Sequence, residues 1–184
     1  MKILTSIAFF SLFVFFGHAQ NQKFQPLDSS PADIVYYPLN VSKAKDESSP
    51  LIKVIYSRPS KKGREIFGML EQYGKIWRMG ANESTEIRFY KSARINERKI
   101  KAGTYSLFAI PDKENWTIII NKQLDKWGAF TYNEAKDVMR FKVPVKKMAK
   151  PLEAFTITFN PASAGAIMVI AWDTSIVEFP ISIK

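Results

Sequence analysis

Between Tyr56 and Thr85 the sequence collects the side chains best able to recognise a charged ligand. Arg58, Arg64, Arg78 and Asn82 lie in that stretch with Tyr73 and Trp77, and Gly63, Gly68, Gly74 and Gly80 punctuate it. An arginine presents a planar fork that matches carboxylate and phosphate oxygens, and glycine permits tight turns and close approach of the backbone to a ligand. The pattern points to a site in which Arg58, Arg64, Arg78, Asn82 and Glu83 meet an anionic group while Tyr73 and Trp77 supply an apolar wall. Structural alternatives stand beside these roles. Arg78 can pair with Glu83 or Glu86 and brace its own loop, Asn82 can serve a turn, and Trp77 can anchor the loop instead of stacking on a sugar. Trp127, next to Gly128 and near Tyr132, carries the same pair of readings. Glu71, Glu83 and Glu86 are the carboxylates that a glycan-active hydrolase or lyase would use as acid or base, with an arginine neutralising a substrate carboxylate. No particular residue is singled out as catalytic.

The chemistry open to the chain is narrowed by what it lacks. Of 184 residues none is cysteine and one, His18, is histidine. Residues 1–19 read as an export signal: Lys2 gives the positive start, Ile3 to Phe16 is an apolar run broken only by Thr5, Ser6 and Ser11, and Gly17-His18-Ala19 sets small residues where signal peptidase reads them. The run is too short to span a bilayer, which needs roughly 20 residues, and no second apolar stretch of spanning length follows. Cleavage after Ala19 would leave a tail over residues 20–32 and one domain over residues 33–184, with no histidine, no cysteine and no lipid-bearing residue at the new terminus. Nucleophilic triads built on histidine, the usual zinc sites, histidine- or cysteine-ligated haem and thiol redox chemistry are therefore not expected, and neither a metal nor a cofactor is predicted. A soluble protein of the periplasm or exterior is the expectation, without a membrane span in the mature chain.

Charge is unevenly spread. Of the 27 basic and 17 acidic side chains only Lys2 falls within residues 1–19, so the remainder carries +9. Residues 58–101 hold twelve basic against five acidic groups, a share of +7. Such an excess suits an anionic small molecule or an acidic glycan; nucleic acid is not expected of an exported protein, and a protein partner is left open. The same lysines and arginines would also serve as a solvated surface that keeps strand edges from pairing.

The elements that must position these residues are strands. Asp33 to Leu39 and Leu51 to Ser57 are β-rich; Glu86 to Tyr90, Arg94 to Lys99, Thr104 to Ile110 and Trp116 to Asn121 follow. Met139, Phe141, Val143 and Val145 point one way while Arg140, Lys142 and Lys146 point the other, as expected of a half-buried strand; Phe155, Ile157 and Phe159 repeat the period, as do Val177, Phe179, Ile181 and Ile183. Ile167 to Trp172 is almost wholly apolar and reads as a central strand. Trp116 and Trp172 fall in such runs and read as core, and Tyr105 reads as the tyrosine that pins a corner in sandwich domains. About nine or ten strands predict an all-β fold, an antiparallel β-sandwich or open barrel, with one short helix near Arg64 to Leu70. A chain of this length buries roughly 70% of its unfolded surface, enough for a core without disulfides.

Several of these segments also carry a family signature. Y-S-R-P, the K-G-R-x-I-F-G run, Y-G-K-x-W-R-x-G-A-N-E-x-T, and A-G-T-Y-S-L-F-A-I-P with W-T-I-I-I-N resemble the bacterial family catalogued as domain of unknown function 2911. The resemblance covers roughly residues 33 to 180. It implies a secreted or periplasmic β-rich domain from Gram-negative bacteria, and it implies no activity and no functional residues. Members often show proline where this chain has Gln72, and glycine in the hairpin where it has Asn96-Glu97-Arg98; asparagine tolerates the left-handed turn conformation that glycine adopts there. The reading from residues and resemblance together is an exported binding or interaction domain for an anionic ligand. A carboxylate-dependent glycan-active enzyme and a structural envelope protein are the alternatives.

Overall fold

The computed structural model describes residues 23–43 and 49–183, so the expected export signal lies outside the described residues. Ten strands account for most of them: β1 (Ala32–Tyr37), β2 (Ile52–Ser57), β3 (Thr85–Phe89), β4 (Ala93–Ile95), β5 (Arg98–Ile100), β6 (Gly103–Ile110), β7 (Asn115–Asn121), β8 (Asp137–Pro144), β9 (Lys146–Ala162) and β10 (Gly165–Ile183). They form a six-stranded sheet in the order β1-β2-β3-β6-β7-β8 and a four-stranded sheet in the order β5-β4-β10-β9, every pair antiparallel. The expected sandwich is thus the observed architecture.

Alternation decides which face of each strand is buried. Val54 and Tyr56 of β2, Ile87 and Phe89 of β3, Leu107 of β6, Trp116 and Ile118 of β7, and Phe141 of β8 turn inward onto Phe155, Ile157 and Phe159 of β9 and Met168, Ile170 and Trp172 of β10. Ile167 to Trp172 lies in β10 but pairs there with β9 alone, since β4 joins β10 only at Ile181–Ile183, so the central strand expected of it is not formed; its apolar character reflects burial, Met168 to Trp172 all being buried. The runs 167–172 and 177–183 are one continuous strand, bent where Asp173 adopts a positive φ of 52° and the register with β9 shifts. Tyr105 packs on Phe89 and its hydroxyl donates to the Lys101 carbonyl at 3.1 Å, the expected corner pin.

The helix expected near Arg64 to Leu70 is absent. Turns occupy that stretch, because Gly68 sits at φ +100° and its amide donates forward to the carbonyl of Glu71 at 2.9 Å, whereas helical amides donate back to residues earlier in the chain. The helical content of the described residues is confined to two short 3-10 turns, Val41–Lys43 and Glu134–Lys136. No helix among the described residues is long and apolar enough to cross a membrane.

Candidate functional site

Residues 58–84 connect β2 to β3, and this long connection is held against the sandwich rather than looped out from it. Ser60 bridges to Ala154 of β9 and Trp77 bridges to Ala109 of β6, the latter through reciprocal hydrogen bonds of 2.7 and 2.9 Å. Between these anchors Ile66, Phe67, Trp77 and Met79 point into the core. Trp77 is 3% exposed and meets Phe67, Trp116, Phe155 and Trp172 edge-on or stacked at centroid separations of 5.1 to 6.1 Å. It is therefore the anchor of its loop, and the apolar wall expected of it must come from elsewhere.

After Trp77 the backbone makes a tight excursion, with positive φ at Met79, Gly80 and Asn82. Gly80 is indispensable: a Cβ there would stand 2.7 Å from the Ser57 carbonyl oxygen. Its own carbonyl accepts from Trp77 Nε1 at 3.3 Å and Arg78 Nε at 3.4 Å, which ties the guanidinium to the rigid core anchor.

Arg78 and Arg64 come together at a cleft of about 360 Å³, lined also by Lys62, Glu71, Leu70 and Trp172. None of its three cationic residues lies within ion-pair distance of a carboxylate among the described residues. The brace expected between Arg78 and Glu83 or Glu86 is accordingly not made. Arg64 donates through Nε and Nη2 to the carbonyls of Lys61 and Ser60, at 3.0 and 2.6 Å, so its head is held at the rim. Glu71 is half-buried in the same cleft; burial pushes its carboxyl up to about 7, opposed by the charges of Arg78 and Arg64. Leu70, which is 42% exposed, is the apolar side chain at the cleft surface, while Trp172 lies fully buried beneath it with its indole nitrogen bonded to the Glu153 carbonyl at 3.1 Å.

The remaining sequence-predicted residues are placed differently. Arg58 is engaged by Asp33 at 3.0 Å, the Phe155 carbonyl at 3.1 Å and Thr156 Oγ1 at 2.9 Å, a brace joining the end of β2 to β1 and β9. Tyr73 packs its ring over Gly68, where a Cβ would stand 2.9 Å from the ring, and so supports the turn that carries Glu71 without lining the cleft. Asn82 takes the turn role, at φ 58°. Asp28 has its carboxyl held below the usual range first by the Ser30 amide, which donates to it at 2.7 Å, and then by Asn82.

Asn82 and Glu83 line a second cleft, of about 300 Å³, on the outer face of the six-stranded sheet. Its floor includes Ile55, Glu86 and Ser106, which stand in register across β2, β3 and β6. Asp125 and Trp127 of the β7–β8 connection form another wall, and Trp127 is 62% exposed. Lys62, Leu70 and Trp172 escaped the sequence reading of the site. Lys62 and Leu70 are unexceptional in a basic, loop-rich segment, and Trp172 reaches the cleft only because β10 packs beneath the connection.

One family model matches, over residues 38–181, with the description protein of unknown function (DUF2911). No curated protein and no solved structure matches the chain.

Proposed function

The chain belongs to this family of unknown function, and from that premise we propose that it is an exported binding domain that recognises an anionic group, a carboxylate or phosphate of an acidic glycan or other small molecule, in the cleft of Lys62, Arg64 and Arg78. One observation carries the reading: three cationic side chains line a concave site beside the exposed Leu70 and have no carboxylate partner within ion-pair distance among the described residues. Unpaired arginines held by the backbone are preorganised donors for an oxyanion, because little side-chain freedom is lost on binding. Export and a periplasmic setting rest on the character of residues 1–19.

Glu71 favours a second reading. A carboxyl near pH 7 beside two arginines is poised to move a proton, and the cleft would then act on an acidic glycan. Among the described residues Glu71 is the only acidic one lining this cleft, whereas hydrolysis by paired carboxylates needs two, so elimination by a single base is the form this reading takes.

Thermal unfolding with glucuronate, glucose 6-phosphate and glucose separates these outcomes. The two anions are expected to raise the unfolding temperature and glucose is not, since a ligand selective for the folded state stabilises it by mass action. Unchanged ligand mass accords with a binding module, and a new product mass from an acidic oligosaccharide supports the second reading. Equal shifts with glucose, or none with either anion, would contradict the proposal.

A further inference from the structure

The second cleft has the opposite electrical character. Glu83, Glu86 and Asp125 line it and, among the described residues, no lysine or arginine does, on a molecule whose residues beyond the expected signal carry +9. The backbone that carries its exposed Trp127 is fixed in place. The Ser84 amide donates to the Lys126 carbonyl and the Gly128 amide to the Asn82 carbonyl, both at 2.8 Å, and Glu83 bridges to Trp127. An exposed indole lining a cleft with carboxylates suits an ammonium group, which gains both ion pairing and attraction to the ring.

The two clefts adjoin. Three separate segments give near-neighbouring residues to both: Ser30 and Ala32, Ser57 and Pro59, Ala81 and Asn82, with the first of each of the latter two pairs on opposite sides. Residues two apart in a chain lie at most about 7 Å from each other. Arg78 stands at the boundary, since its Nη1 lies 2.9 Å from where a Cβ on Gly128, the neighbour of Trp127, would project. At that end of the sheet β1 begins, β2 ends and β3 begins, so one short stretch of surface presents arginines on one side and carboxylates with tryptophan on the other.

We infer that the two clefts form one bipolar site for a zwitterionic ligand, whose anionic group meets Arg64 and Arg78 while its ammonium group meets Trp127, Glu83, Glu86 and Asp125. The inference rests on the anion-binding reading and adds the second charge. An amino sugar bearing a phosphate or carboxylate belongs to this class, and two charges on one small molecule give the second contact a high effective concentration.

Calorimetric titration at pH 6.5 and low salt with glucosamine 6-phosphate, glucose 6-phosphate and glucosamine tests it. Glucosamine 6-phosphate is expected to bind about tenfold more tightly than glucose 6-phosphate, with glucosamine weaker than both. The double variant Glu86→Gln, Asp125→Asn should bring the two phosphates to the same affinity. Trp127→Ala, at an exposed position, should do so in part. Equal affinities for the two phosphates in the unaltered protein overturn the bipolar site and leave anion binding standing. Absence of binding by both phosphates overturns the two readings together, and glucosamine binding as tightly as its phosphate overturns the claim that one ligand bridges the clefts.

Discussion

Arg58 and Arg78 carry the same guanidinium into different surroundings. Arg58 closes on Asp33, Thr156 and a carbonyl and is a brace, whereas Arg78 bonds one carbonyl and faces a cleft. Sequence composition marks both as candidates and cannot separate them, because Asp33 and Thr156 come from strands distant in the chain. Glu71 is the residue whose behaviour depends most on its surroundings. The folded state holds its carboxyl near 7 against 4.5 for an unperturbed glutamate, so the folded protein binds more protons than the unfolded chain between those values. Its contribution to stability is therefore fully present below about 4.5 and is lost as pH rises through about 7. Glu71→Gln, which cannot ionise, is expected to stabilise the protein at pH 8 by on the order of 1–3 kcal/mol and to leave it unaltered at pH 4. Thermal unfolding at the two pH values checks this, and equal effects at both would contradict the assignment.

At the scale of elements the β4–β5 hairpin offers a second check. Asn96 and Glu97 both adopt left-handed backbone, at φ 49° and 63°, the two central positions of a tight hairpin turn. Asparagine accepts that region and glutamate does not do so readily, so Glu97→Gly is expected to stabilise by about 0.5–1 kcal/mol, measured by denaturant unfolding. A loss of stability would mean that the Glu97 side chain makes a compensating contact. Strands were the legible elements here. Period-two alternation in 139–145 and 155–159 follows from burial of one face, and the apolar run 167–172 follows from burial of successive residues, Met168 to Trp172 all being buried. The stretch 64–70 misled because its apolar spacing fits one helical turn, while Gly68 and the Tyr73 ring packed over it select a compact turn instead. Trp77 was ambiguous for a related reason: a tryptophan flanked by Lys75 and Arg78 looks exposed until the bridge to Ala109 turns it inward.

The whole molecule sets two sheets around an aromatic core that the β2–β3 connection enters, so the rigidity of the interior extends to the arginines at its surface. Cleft membership depended on this packing. Arg64 and Arg78 were identifiable from composition; their convergence with Glu71 and Trp172, and the separation of Asn82 and Glu83 into a neighbouring cleft of opposite charge, required the fold. The central claim is that these arginines bind an anion, and titration of glucose 6-phosphate into the unaltered protein and into the double variant Arg64→Ala, Arg78→Ala tests it most directly. The account predicts binding that weakens with added salt and falls by at least about tenfold in the double variant, whose fold persists because neither side chain is buried. Equal affinity in the two proteins, with unchanged stability of the variant, would contradict it.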